Sequence, residues 1–313
     1  MTNGPLAAAH NAPKHTLGHR LARDFKQNKY KYMLIIPVLV VLALFAYKPM
    51  YGLIIAFKNF RPRLGIAGSK WVGWQNFTNF FGDVYFGRLL GNTLSISLLN
   101  ILFGFPLPIL LALSLNEVRN MTFKRTVQTL TYMPYFISMV VTCSLVITYS
   151  QSKGIFAQIF GIEQNLLMNP RYFYPIYIIS DIWQFVGWNS IIYLAALSGI
   201  DQEQYEAARI DGASRFKQMQ HITLPGLMPT ITILFILRMG SVLNVGFEKV
   251  LLLYNEATYS VADVISTYVY RRGVMNADYS YATAVGLFNS AANVLFLLTA
   301  NAISKKYSDS SLF

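Results

Sequence analysis

Residues 206–225 read EAARIDGASRFKQMQHITLP, a polar island between two apolar stretches, YIISDIWQFVGWNSIIYLAAL at 177–197 and LMPTITILFIL at 227–237. A polar segment bracketed in this way is a loop joining two membrane helices. Asp201, just ahead of it, is suited to cap a helix running through Gln204 and Glu206. Ala207 and Ala208 remove bulk from that helix, so that a partner surface can approach closely. Gly212 is free to take positive φ, which ends the helix and turns the chain. A second short helix follows, and Pro225 fits the start of the next membrane helix, where a missing N–H costs little.

Composition gives the same class. The 313 residues are 54% hydrophobic and 13% charged, with mean hydropathy +0.39, whereas soluble domains carry about 25% charged residues. The chain is therefore an all-α integral membrane protein whose unit is a span of roughly 20 apolar residues. Its net charge of +12 does not indicate nucleic acid, because the basic residues are scattered over loops and the N-terminal tail. The lipid bilayer, with its anionic headgroups, and an acidic partner surface are the expected counterparts. Cys143, the one cysteine, sits in an apolar run and reads as a small core residue, which rules out an internal disulfide or thiolate cluster.

Outward from the island, apolar runs mark six spans at about 33–57, 89–113, 127–149, 172–197, 227–253 and 279–303. They form one transmembrane domain over residues 32–313, with 201–225 as its loop. Ahead of them lies a polar tail, 1–31, in which Arg20, Arg23, Lys26, Lys29 and Lys31 crowd toward the first span. That charge places the N-terminus in the cytoplasm, and six spans return the C-terminus to the same side. The first run has no small-residue cleavage signature and reads as a retained span. His10, His15 and His19 are too irregularly spaced to argue for a metal site. Trp71, Trp74, Phe77, Phe80 and Phe81 recur at helical spacing and suggest a short helix at the outer interface. Pro106 and Pro108 predict a kink or local unwinding in the second span.

Polar groups within spans are costly and usually face a cavity or a partner. Asp181, Gln184 and Trp188 fall on one face of the fourth span. On the fifth span Arg238, Ser241, Asn244 and Glu248 lie within an arc of roughly 120°. Asn289 and Asn293 share a face of the sixth. These stripes are placed to line one path, offering hydrogen bonds from Asp, Asn and Gln, a flat apolar face from Trp188 and a positive charge from Arg238. Interhelical hydrogen bonding, and for Asp181 and Arg238 a structural ion pair, are the alternatives.

Glu206-Ala207-Ala208, three residues, Gly212, nine residues, then Ile222-x-Leu224-Pro225 resembles the cytoplasmic loop of ABC importer permeases. VQTLTYMPYFIS at 127–138, GFEKVLLLYNEATYSVADVISTYVYRRG at 246–273 and the ending NAISKKYSDSSLF are similar to its oligosaccharide subfamily, related to alginate- and maltose-type importers. The likeness covers all but the tail. It implies a type I importer permease fold and a place in the bacterial plasma membrane. It also implies a second homologous permease subunit, two cytoplasmic ATPase subunits carrying ATP and Mg, and an extracytoplasmic solute-binding protein that delivers an oligosaccharide. In that setting Glu206, Ala207, Ala208, Asp211, Gly212, Leu224 and Pro225 belong to a peg seated in a groove of an ATPase subunit.

The chain has no GxxxxGK[ST], HExxH or GxSxG pattern, so catalysis and cofactor binding by this subunit are not expected. A permease for a non-sugar solute is the alternative reading. An ion-coupled secondary carrier is disfavoured by the absence of internal repeats.

Overall fold

The computed structural model describes residues 25–162, 164–307 and 312. The histidines of the tail, with Arg20 and Arg23, lie outside the described residues. The chain divides into two units, Met1–Ile54 and Ile55–Phe313.

The first unit carries most of helix α1 (Lys29–Phe57), apolar along its length and with none of its Lys29–Leu42 portion buried. A helix that is apolar all round and unburied within its own chain presents that surface to lipid or to another membrane helix. Pro37 lies within it, and a widened turn follows at Ala43–Tyr47.

The second unit opens with a two-stranded antiparallel ribbon that pairs Lys58 with Trp71 and Asn59 with Lys70. Helix α2 (Gln75–Phe81) follows. The expected interfacial helix is therefore shorter than its aromatic spacing suggests: Trp71 stacks on Phe57 at 5.8 Å from a strand, while Phe77 and Phe80 face inward and are buried.

Helix α3 (Phe86–Glu117) is the second span. Its expected loosening is a widened turn at Asn100–Gly104, where the Phe105 N–H reaches back to the Asn100 carbonyl at 3.0 Å, just ahead of Pro106. The third expected span, 127–149, is not one rod. Helix α4 (Met121–Phe136) and the stretch from Met139 to Ile159 meet at 99°. Ser138 caps α5 (Met139–Ser150), its hydroxyl accepting from the Val141 N–H, and Gln184 Nε2 donates to the Ile137 carbonyl at 3.2 Å. Those two polar groups satisfy backbone exposed by the break.

Helix α6 (Pro170–Ser198) packs along the second half of α3. It approaches α4 so closely that a Cβ on Gly187 would sit 2.1 Å from the Thr131 carbonyl oxygen. Around Phe173, Tyr177, Ile96, Val250 and Val264 lies the main core, and Cys143 is buried there as expected.

Helix α7 (Gln202–Ile210) and helix α8 (Arg215–Met239) follow. The second short helix expected before Pro225 is instead continuous with the membrane helix. A widened turn at Met219–Thr223 precedes Pro225, with the Leu224 N–H bonded to the Met219 carbonyl, so proline enters without ending the helix. The fifth expected span, 227–253, stops at Met239. Residues 240–246 are irregular, and helix α9 (Phe247–Leu253) begins with a new phase. Helix α10 (Ile265–Tyr270) leads to α11 (Tyr279–Tyr307). Among the described residues four helices are long and apolar enough to cross a membrane, or five if the bent pair is one span. Helix α6 has the length, but its polar and aromatic residues dilute its hydropathy.

Candidate functional site

The widened turn of α3, the middle of α6, the end of α8 and the irregular stretch before α9 border an open cavity of about 380 Å³. Asn100, Tyr177, Asp181, Asn189, Arg238, Asn244 and Lys249 are among its lining residues. Lys249 Nζ lies 3.1 Å from Asp181 Oδ1, donates to the Tyr177 carbonyl at 3.1 Å, and stands 4.7 Å from the Tyr177 ring centre. Asn100 Nδ2 donates to Asp181 Oδ2 at 2.7 Å, and Asn100 Oδ1 accepts from Arg238 Nη2 at 2.9 Å. One connected network thus joins four separate elements. Arg238 sits in the last turn of α8, where the carbonyl end of a helix favours a cation.

The sequence-derived residues divide on this map. Asp181, Arg238 and Asn244 line the cavity together. Asn289 and Asn293 stand behind it: their amide groups donate to Asn244 Oδ1 at 2.7 and 3.1 Å, while Asn293 Oδ1 accepts from the Leu243 N–H at 2.9 Å. They tie the irregular stretch to α11. Gln184 is buried at the α4–α5 break, and Trp188 stacks on Tyr135 at 4.1 Å, nearly parallel. Glu248 is exposed and lines no part of the cavity; the break at 240–246 removes the single-helix arc that grouped it with Arg238. Asp181 pairs with Lys249 rather than with Arg238.

At the far end of α6 the loop has the expected local chemistry. Asp201 caps α7, accepting from the Glu203 N–H at 3.0 Å, and Gly212 turns the chain at φ +73°. Glu206, Ala207, Asp211, Gly212, Leu224 and Pro225 are exposed, and Ala208 is half-buried. Ile210 and Phe216 are also strongly exposed, at 87% and 67%. Two ties fix the loop to the spans. The Tyr205 hydroxyl lies 3.0 Å from that of Thr223, and Arg215 pairs with Glu117 at 3.0 Å.

Residues 104–309 match the family of binding-protein-dependent transport system inner membrane components. The chain belongs to that family. Protein LplB of Bacillus subtilis (strain 168) is 44% identical over 310 residues, spanning 97% of this chain and 98% of the relative. The polygalacturonan/rhamnogalacturonan transport system permease protein YteP of the same organism is 44% identical over 299 residues, 94% and 93% of the two chains. A chain from the solved bacterial alginate ABC transporter in complex with an alginate pentasaccharide-bound periplasmic protein matches with TM-score 0.85 at 41% identity. That match spans 94% of this chain and 100% of that one. This family member is thus an inner-membrane permease subunit.

Three cavity groups of this permease, Asn100, Asn189 and Lys249, are absent from the stripes read off its sequence. Asn189 stands eight residues beyond Asp181 on α6, on the same face. Lys249 carries the plainest signal, a lone cation between GFE and VLLLY. Asn100 sits in an apolar run and is recognisable only once the turn at 100–104 is seen.

Proposed function

We propose that this chain is the transmembrane subunit of an ATP-driven importer and forms half of the translocation path for an oligosaccharide, with acidic sugars the best fit. The observation that carries the reading is the cavity itself: lined by Arg238, Lys249 and Asp181, it holds two cations and one carboxylate, leaving one positive charge in excess. The relatives support it, since YteP is described as serving polygalacturonan and rhamnogalacturonan, and the structural neighbour as importing alginate.

Six spans are assigned within residues 32–313, with the bent α4–α5 pair as the third, α6 as the fourth, and α8 with α9 as a broken fifth. Both termini and the 201–225 loop then face the cytoplasm. The loop seats on an ATPase subunit, which with its twin carries ATP and Mg; this chain's sequence has no GxxxxGK[ST] pattern. Glu206 supplies the charged contact, Gly212 the turn, and Ile210 and Phe216 the apolar knobs that such an interface needs. A second homologous permease completes the path, and an external solute-binding protein delivers the cargo.

Reconstitution tests this reading. The chain, co-purified with its second permease and ATPase subunits and placed in liposomes, is expected to take up an oligogalacturonide only with ATP inside and the loaded binding protein outside. Uptake by this chain alone, or a complex that moves no oligosaccharide, contradicts it.

A further inference from the structure

The bonds around the cavity leave its groups unequally occupied. Both oxygens of Asp181 are engaged, Oδ1 by Lys249 and Oδ2 by Asn100. Asn100 is engaged at both ends of its amide, because its other atom, Oδ1, accepts from Arg238. Its orientation is not free: guanidinium only donates and carboxylate only accepts, so a flipped amide would set donor against donor and acceptor against acceptor. Arg238 is different. A guanidinium carries five N–H donors, and among the described residues one hydrogen bond and no ion pair is made by this side chain. Asn244 is left in a similar state, for its Oδ1 accepts from both Asn289 and Asn293 and its own NH2 remains.

Among the described residues each acceptor atom of Asp181, Asn100 and Asn244 already has a partner in the protein, whereas most donors of Arg238, the Asn244 NH2 and one positive charge have none. The complementary ligand group is flat, anionic and rich in acceptors, which describes a carboxylate. We infer that Asn100 is a positioning residue that stands between Arg238 and Asp181 and so keeps the guanidinium free to take the carboxylate of a uronate unit in the cargo. The inference rests on the oligosaccharide reading and deepens it. A neutral amide satisfies both charged neighbours without cancelling either, whereas a carboxylate in its place pairs with Arg238 directly and removes the excess charge. Gly104 makes the arrangement possible, since a Cβ there would lie 2.6 Å from Asn100 Oδ1. Lys249 contributes by occupying the other oxygen of Asp181.

The test uses the assembled complex in liposomes with its binding protein. The probes are tetragalacturonate and, separately, its methyl-esterified neutral form, and both uptake and basal ATP hydrolysis are read. Asn100→Asp is expected to lower tetragalacturonate uptake about tenfold or more, the loss of one charge-assisted contact. Arg238→Lys, which keeps the charge and loses the fork, is expected to lie between Asn100→Asp and wild type. If Asn100→Asp reduces complex yield, Gly104→Ala replaces it, with the same expected loss. Wild-type uptake of tetragalacturonate in an assembled Asn100→Asp complex overturns the inference, as does equal loss of the acidic and esterified sugars. A wild-type complex that imports the neutral sugar but not the uronate overturns the role of Asn100 and leaves the oligosaccharide reading standing. One that imports neither overturns both.

Discussion

Lys249 Nζ and Asp181 Oδ1 are 3.1 Å apart, with the lysine side chain 1% exposed and the aspartate 19%. Two charges so far from water are tolerated only as a pair, and removing one partner leaves the other uncompensated at a cost of about 3 to 5 kcal/mol. Lys249→Met is therefore expected to lower the thermal midpoint and yield of the purified complex sharply. Lys249→Met with Asp181→Asn, which removes both charges, is expected to recover much of the loss. A double variant as unstable as the single one contradicts the pairing.

Gly212 is exposed, has open space around it and adopts φ +73°. Proline fixes φ near −65°, so Gly212→Pro cannot form this turn and must re-aim α7. Because the turn lies outside the packed spans, complex yield is expected to stay near wild type while sugar-stimulated ATP hydrolysis disappears. Glu206→Lys, exposed on α7, is expected to give the same phenotype by reversing the charge of the proposed ATPase contact. Normal stimulation in assembled variants contradicts the coupling role of the loop.

Asp83, between α2 and α3, lies outside the spans. Burial pushes its carboxyl up, but hydrogen bonds from the Tyr268 hydroxyl, the Tyr85 N–H and the Tyr281 hydroxyl, with the Arg272 charge, prevail and hold its pKa below the usual value. A depressed folded pKa contributes stability above the unfolded value of about 3.9 that is lost as pH falls through the folded one. The thermal midpoint of Asp83→Asn should therefore fall less steeply than wild type on acidification below about pH 4. Superimposable acid limbs count against this clasp.

Gly187 has no room for a side chain, since its Cβ would meet the Thr131 carbonyl oxygen at 2.1 Å, a backbone atom that cannot rotate away. Gly187→Ala is expected to force α6 from α4 and to destabilise the assembly by about 1 to 3 kcal/mol, the usual cost of overpacking. Thermal unfolding of the purified complex reads this directly, and an unchanged midpoint contradicts the contact.

What the sequence reveals here follows from the range of the interactions involved. The Asp201 cap, the Gly212 turn and the loosening before Pro106 are set by chemistry within a few residues, so they can be read without the fold. The breaks at 137–138 and 240–246 are held by partners far along the chain, Gln184 for Ile137 and Asn293 for Leu243. An apolar run does not say whether its helix is continuous. Reading 227–253 as one helix carries the phase from Arg238 to Glu248; the break resets it and turns Lys249 inward instead. The pairing of Asp181 with Lys249 is likewise a tertiary fact, whereas the cost of leaving either charge unpaired in a span is evident from sequence.

The Tyr205 hydroxyl lies 3.0 Å from that of Thr223, one on α7 and the other near the base of α8. Thr223 is buried, so the bond clamps the short helix to the long one at a protected point. From Arg215 to Met239 the helix rises roughly 36 Å at 1.5 Å per residue, with Arg238 at its far end on the cavity. Movement imposed on α7 therefore reaches the cavity through one continuous helix, provided the clamp holds. Tyr205→Phe removes only a hydroxyl, worth about 1 kcal/mol, so assembly and basal ATP hydrolysis should persist. Sugar molecules imported per ATP hydrolysed should fall, because closure of the ATPase subunits is then less tightly tied to α8. Thr223→Val is expected to give the same deficit, and the two changes combined no more than either alone. Additive losses in the double variant would show that the hydroxyls act separately.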